Sequence, residues 1–421
     1  MRRGQGWLLA GALAIGGLPG AASAASEVDI VLNKLVEKGI LTSEDASQIR
    51  REVAAEAKAE QNPQAAKEVL PDSSRNWTWS GDLLLREEYR NRTGSGNDAN
   101  RQRIRFRYGV EAKVADQLRV GARLTTGNTT DPGSPNQSFS TSFNHKSFFL
   151  DRAFVEYSPE LPFLSRARLS GGMIENPFWT VGQLVWDDDL SFDGAAMRLS
   201  RAVGPVTLFM NDGVFALQTD VTEAASLWSA QGGVIITPFT GAGEEALKHL
   251  KLTGSLAYHD YVNLTRSHGK NTAQATAGGL KGNSADLKDL NLLNPTVEMS
   301  SQLATIPFGV FGDWVHNTAA SSSGEGFQVG LKVGEATVPF DLRKGWEGGY
   351  YFERLQPDAT FGAFTDSDFG NGGTNHTGQV WWVKLAALKH SAIQLKYYNT
   401  HEVKGSKNNA DTFRADWISR F

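Results

Sequence analysis

The chain has 421 residues, no cysteine, 44 glycines and 14 prolines, with 42 basic residues against 46 acidic ones. The missing thiols exclude a disulfide scaffold and thiolate metal centres, and the single long apolar run, at the very start, excludes a bundle of membrane helices. Aromatic residues at 10% are too many for a disordered acidic chain, and a net charge of -4 gives no reason to expect a nucleic-acid partner.

Met1, Arg2 and Arg3 form a positive start, Trp7 to Leu18 an apolar core, and Ala22-Ser23-Ala24 a small-residue cleavage site. Residues 1–24 are therefore expected to be a secretory signal, cut after Ala24. Residues 25–60 change period. Val28, Val31, Leu32, Leu35 and Val36 recur at helical spacing, Gly39 offers a stop, and Thr42 or Ser43 can cap a second helix carrying Ala46, Ile49 and Val53. This predicts a short helical hairpin or coiled coil, periplasmic in an exported protein. Residues 61–76, with Pro63 and Pro71, read as a linker.

From Trp77 onward the period is two. Arg101, Arg103, Arg105, Arg107, Glu111 and Lys113 share one parity; Ile104, Phe106, Tyr108, Val110 and Ala112 share the other. A strand turns alternate side chains to opposite faces, so one face is charged and one apolar. The next run repeats this, with Val120, Ala122 and Leu124 against Arg119 and Arg123. Sixteen such segments are expected, starting near residues 77, 100, 118, 147, 167, 193, 206, 227, 251, 296, 309, 326, 345, 378, 391 and 412. Turns such as 115–117 and 389–391 alternate with long polar connections such as 127–146, 175–192, 262–295 and 355–376. That sorting predicts an all-β, transmembrane, antiparallel barrel over residues 77–421. In the last segment Phe413, Ala415, Trp417 and Phe421 share the apolar parity.

An amphipathic strand ending in an aromatic residue resembles the assembly signal of bacterial outer-membrane barrels, with Trp417 and Phe421 in that role and Ser419 as a departure from it. A signal, the helical segment VDIVLNKLVEKGILTSEDA, a linker and a barrel are similar in layout to the "putative porin" family of Gram-negative bacteria and to phosphate-selective porins. The run LDRAFVEY, Leu150 to Tyr157, resembles a strand of both. The resemblance implies an outer-membrane location, insertion by the barrel-assembly machinery, contact with membrane lipid, and a homotrimer.

Sixteen strands enclose more space than inward side chains can fill. Arg86, Arg90, Arg101, Arg103, Arg105, Arg107, Arg119 and Arg123 form a basic wall on the inward parity, partly screened by Asp82, Glu88 and Glu111. In general porins the third long loop folds inward. By that analogy the loop 175–192 is a constriction in which Asp187, Asp188 and Asp189 face the arginines across a gap. The eight histidines are scattered without a metal-ligand spacing, and no Gly-x-Ser-x-Gly elbow occurs. No catalytic residue, metal or cofactor is expected. The reading is an outer-membrane porin passing small hydrophilic solutes or ions by diffusion. The alternatives are an outer-membrane enzyme or adhesin on a smaller barrel, and a secreted soluble β-rich binding protein.

Overall fold

Alternating apolar and polar side chains favour strands that cover one face with lipid or protein and the other with water, and the chain from Trp77 follows that rule throughout. The structure, a computed structural model, describes residues 47, 76–93, 98–128, 131–139, 142–219, 224–238, 249–264, 280–285, 287–405 and 408–421. The signal, helical segment and linker expected before residue 77 lie outside the described residues, apart from Ser47 and Asn76. Trp77–Phe421 forms one compact unit.

Its strands are Trp77–Thr93 (β1), Ala99–Ala115 (β2), Leu118–Thr126 (β3), Gln137–Ser138 (β4), Phe148–Tyr157 (β5) and Arg166–Glu175 (β6). Next come Ser191–Val203 (β7), Val206–Gln218 (β8), Ala225–Ile236 (β9), Lys251–Val262 (β10), Asn291–Leu303 (β11) and Ile306–Asn317 (β12). Glu325–Ala336 (β13), Gly345–Leu355 (β14), His376–Leu388 (β15), Ser391–Glu402 (β16) and Asn409–Arg420 (β17) complete the wall. Each long strand pairs antiparallel with its neighbours, and β1 pairs with both β2 and β17, so the sheet closes. The short β4 lies against β2 inside a loop, leaving sixteen barrel strands. That count removes the smaller-barrel alternative. The largest displacement from the expected starts is in β11, which begins at Asn291 rather than near residue 296.

One end of the barrel carries the two-residue turns at 116–117, 204–205, 304–305 and 389–390. It is less uniform than expected, because longer connections follow β5, β9 and β13 there. At the other end long connections leave β3, β6, β10 and β14, among them the fully described loops 176–190 and 356–375.

The seam is set by register. Tyr89 lies opposite Phe413, Leu85 opposite Trp417 and Leu83 opposite both Ser419 and Phe106, all on the outer face. Phe421 N–H donates to Gly81 O and Gly81 N–H to Phe421 O, at 3.1 and 2.8 Å. A Cβ on Gly81 would lie 2.6 Å from the Phe421 ring, so this position requires glycine. Ser419, the departure in the terminal strand, accepts a hydrogen bond from Trp417 Nε1 at 2.9 Å. Trp77, Trp79 and Tyr108 stack in sequence on the outer face, as do Trp381 and Tyr397. Such belts suit the two membrane–water interfaces, and an outer face so rich in exposed Leu, Val and Phe does not suit a soluble protein.

Candidate functional site in the lumen

The arginine parity of β1 and β2 turns inward, where it meets acids rather than open water. Arg105 and Arg107 share Asp82, with Arg107 Nε 2.6 Å from its carboxylate. Glu88 is fully buried between Arg101, Arg90 and Arg414. Arg86 grips Asp416 of β17 through two nitrogens, at 2.7 and 3.0 Å. Arg119 lies lower, between Glu111 and Glu156, and Arg123 pairs with Asp151. Arg103 reaches Ser134 and the carbonyl of Asn136 in the loop that carries β4. Neutralisation of this kind is what a dense row of guanidiniums needs, since like charges in a confined space repel strongly.

Loop 176–190 crosses the lumen. Trp179 N–H donates to Gln231 of β9, Gly182 lies so close to Gln328 of β13 that a Cβ there would clash, and Asp189 reaches Arg105 and Arg107 of β2. Those three strands are widely separated around the wall. An apolar layer seats the loop. Phe192, Phe215, Leu227, Tyr261, Leu292, Val315 and Leu355, inward residues near the long-loop ends of their strands, form one cluster with Phe178, Leu184 and Trp186 of the loop. Phe361 and Phe364 of loop 356–375 join the same cluster. The sequence reading expected a polar lumen there and did not foresee this core. Its signal was these apolar residues on the inward parity.

The three consecutive aspartates, expected to face the arginines across a gap, make three different sets of contacts. Asp189 is zipped to the wall, 2.8 Å from Arg107 and 3.2 Å from Arg105, so no gap separates it from the arginines. Asp187 turns into the protein and accepts from the backbone N–H groups of Asp189 and Ser367, at 2.8 and 2.7 Å. It thereby clamps the two infolded loops, with a further bond from its own N–H to Phe364 O at 2.7 Å. Burial, aided by Asp189 and Asp366, pushes its carboxyl well up. Asp188 alone faces the open lumen.

Two other loops tie into this infold. Asn283 donates to the carbonyls of Pro357 and Thr360, and Lys281 pairs with Asp131. Open space remains beside loop 176–190, in two cavities that both reach the short-turn end of the barrel. A cavity of about 570 Å³ lies toward β11–β16 and is lined by Gln183, Asp188, Glu298, Lys332, Tyr351 and Lys396. Another of about 1210 Å³ lies toward the short-turn end, beside Arg166, Arg168, Trp179, Arg198 and Asn211. Lys332, Lys396, Arg168 and Arg198 are thus lumenal charges that the sequence reading did not single out, although each lies on its strand's inward parity. Among the described residues no group of three or more His, Asp or Glu side chains is placed to hold a metal ion.

Asp188 offers a titration. Confinement, with Asp189 and Asp366 close by, raises its carboxyl to about 6. Lowering the pH through 6 protonates it and removes one negative charge from the cavity that Lys332 and Lys396 line. We expect anion preference, read as the reversal potential in a salt gradient, to rise across that step and the step to vanish in Asp188→Asn. A wild-type titration identical to that of the variant refutes this role.

No protein of curated function matches the chain. Among solved structures it is similar to Pseudomonas putida OprB, with 10% identity and a TM-score of 0.53 over 82% of this chain and 94% of that one. Salmonella typhi OmpF in complex with daunomycin is also similar, at 9% identity and a TM-score of 0.48 over 84% and 99% of the two chains. The first of these supports the fold. A family model described as "Putative porin" matches residues 92–292 and 296–421. Those residues run from the end of β1 through β17, so the match is to the barrel itself: the chain belongs to the "Putative porin" family and is an outer-membrane channel.

Proposed function

We propose that the channel passes small hydrophilic solutes or ions passively, without a cofactor or a chemical step. The observation that carries this is the space left beside loop 176–190, lined by charges of both signs. Water can occupy such a polar space, and each charged contact is weakened by it, so a bound ion can leave. The basic residues Arg119, Arg168 and Arg198 and the mixed group of Asp188, Lys332 and Lys396 are the side chains a solute would meet. The arginines at 86, 90, 103, 105 and 107 act chiefly through the acids and loops that cover them.

The assembly would be a homotrimer. Support comes from the outer face, where Asp212 lies on the lipid-facing parity of β8 opposite Met197 and Ala230, and Asp193 and Asp260 share that face. A charge there is costly against hydrocarbon, and a neighbouring barrel would shelter it. Residues 1–24 would be the export signal, 25–60 a periplasmic helical segment and 61–76 its linker, with Trp417 and Phe421 presented to the barrel-assembly machinery. In planar bilayers the purified protein should insert in steps that close as three equal currents, and in liposomes it should admit small neutral sugars. Absence of any conductance would overturn the channel reading, and single-level closures would overturn the trimer.

A further inference from the structure

Loop 356–375 ends in a tip, Ser367 to Gly373, whose contacts differ from those of its base. The base is held by Phe361 and Phe364 in the apolar core and by the carbonyl contacts of Asn283. The tip reaches across to the β1–β17 seam with a single carboxylate. Asp368 Oδ2 lies 3.1 Å from Arg86 Nη1 and 2.6 Å from Arg414 Nη1. Both arginines are buried, Arg414 completely. Arg86 already spends two nitrogens on Asp416, and Arg414 gives Nε to Glu88 and leans over the Tyr398 ring. Two buried donors beside them, Arg414 Nη2 and Arg103 Nε, have no hydrogen-bond partner.

The seam thus presents guanidiniums with unused donors, arranged around one carboxylate that the wall itself does not supply. Guanidinium donors of this kind match carboxylate geometry. The chain that supplies the carboxylate then follows a left-handed path. Gly370, Asn371, Gly372 and Gly373 all have positive φ, between 59° and 95°, a conformation that glycine and asparagine adopt at low cost.

We propose that Arg86, Arg103 and Arg414 form a carboxylate-binding site whose resident occupant is the chain's own Asp368, and that a carboxylate solute competes for it and displaces the Asp368 side chain. This rests on the channel reading, because only a solute that enters the lumen reaches the seam. Phe369 stays packed against Val380 and Tyr398 and Ser367 stays bonded to Asp187, so the displacement is confined to the Asp368 side chain. A solute of this class would act on its own passage in a way that chloride does not. Chloride can take the place of Asp368 Oδ2 between the two guanidiniums, but it brings no second oxygen for the unpaired Arg414 Nη2 and Arg103 Nε.

The test uses the full-length protein and acetate as the probe. Asp368→Ala removes the resident carboxylate and leaves a space of its size. We expect its barrel to unfold at lower temperature than wild type, followed by the shift in gel mobility on heating. Acetate should restore much of the loss and chloride at equal ionic strength should not. Acetate should bind the variant at least about tenfold more tightly than wild type. In bilayers, half-blocking of the chloride current should require about tenfold less acetate in the variant. If the alanine variant does not fold, Asp368→Asn, which keeps the shape and loses the charge, is measured in the same way. Restoration by chloride as effective as by acetate, or no response to acetate in either variant, overturns the site. The unfolding readout does not depend on conduction. Acetate rescue without any current would therefore leave the site standing and refute the channel reading.

Discussion

Trp186→Ala should give a wider and noisier channel. The indole is 2% exposed and meets Phe192 and His259 at ring distances of 5.1 Å, with Phe178 and Phe364 slightly farther off. It is where the two infolded loops share one apolar seat. Cutting such a ring to alanine costs about 3–5 kcal/mol, and the loss falls on the loops rather than on the ladder of backbone bonds in the wall. The barrel should keep its heat-modifiable mobility while its conductance rises roughly twofold or more, because a sixteen-strand barrel without its infold is an open aqueous tube. Trp381→Ala, on the outer belt, should leave conductance as it is. A folded Trp186→Ala protein with wild-type conductance would show that the loops do not limit flow.

The second large effect is in selectivity. Arg105 and Arg107 together balance Asp82 and Asp189. Replacing both arginines with serine strands two carboxylates inside the lumen. Each attracts a cation ~6 Å away by about 1–3 kcal/mol at effective dielectric constants between water and a protein surface. The reversal potential in a salt gradient should therefore move toward cations, and by more than it does for Arg119→Ser. Arg119 is 42% exposed, so water already screens its charge. Equal shifts for the two, or a shift toward anions, would place the Arg105–Arg107 pair outside the field that ions sense.

The barrel was legible because its pattern is local. In β2 each side chain's face follows from its parity, and Arg105 and Phe106 need no distant partner to be told apart. β11 was misread at its start because Asn294 and Thr296 are inward polar residues buried against Asp313, and Pro295 lies between them. The alternation is faint there. The lumen was less legible, for a different reason. Nothing in Asp187-Asp188-Asp189 tells which carboxylate will turn toward Ser367, which toward Arg107 and which toward water. That choice is made by Trp186 and Leu190 on either side, whose burial fixes how the loop lies. Arg414 was visible as an inward residue of β17, but its link to Asp368 depends on how the loop between β14 and β15 folds into the lumen.

The seam between β1 and β17 has a consequence for how the molecule comes into being. Arg86 and Asp416 are 330 positions apart, and Arg414 and Glu88 are 326 apart. Until β17 arrives, β1 presents an unpaired edge and a row of charges whose partners have not yet been made. A contact of such long range forms late, since the entropy of closing so large a loop must be met before any of its bonds repay it. An open edge is also a template for pairing with the wrong chain. The ion pairs of the seam reward only the correct closure, because a slip of β17 by one residue would turn Arg414 and Asp416 out toward the lipid and leave Arg86 and Glu88 without them. The charges that line the finished channel thus also serve as a check on the register in which the cylinder is sealed.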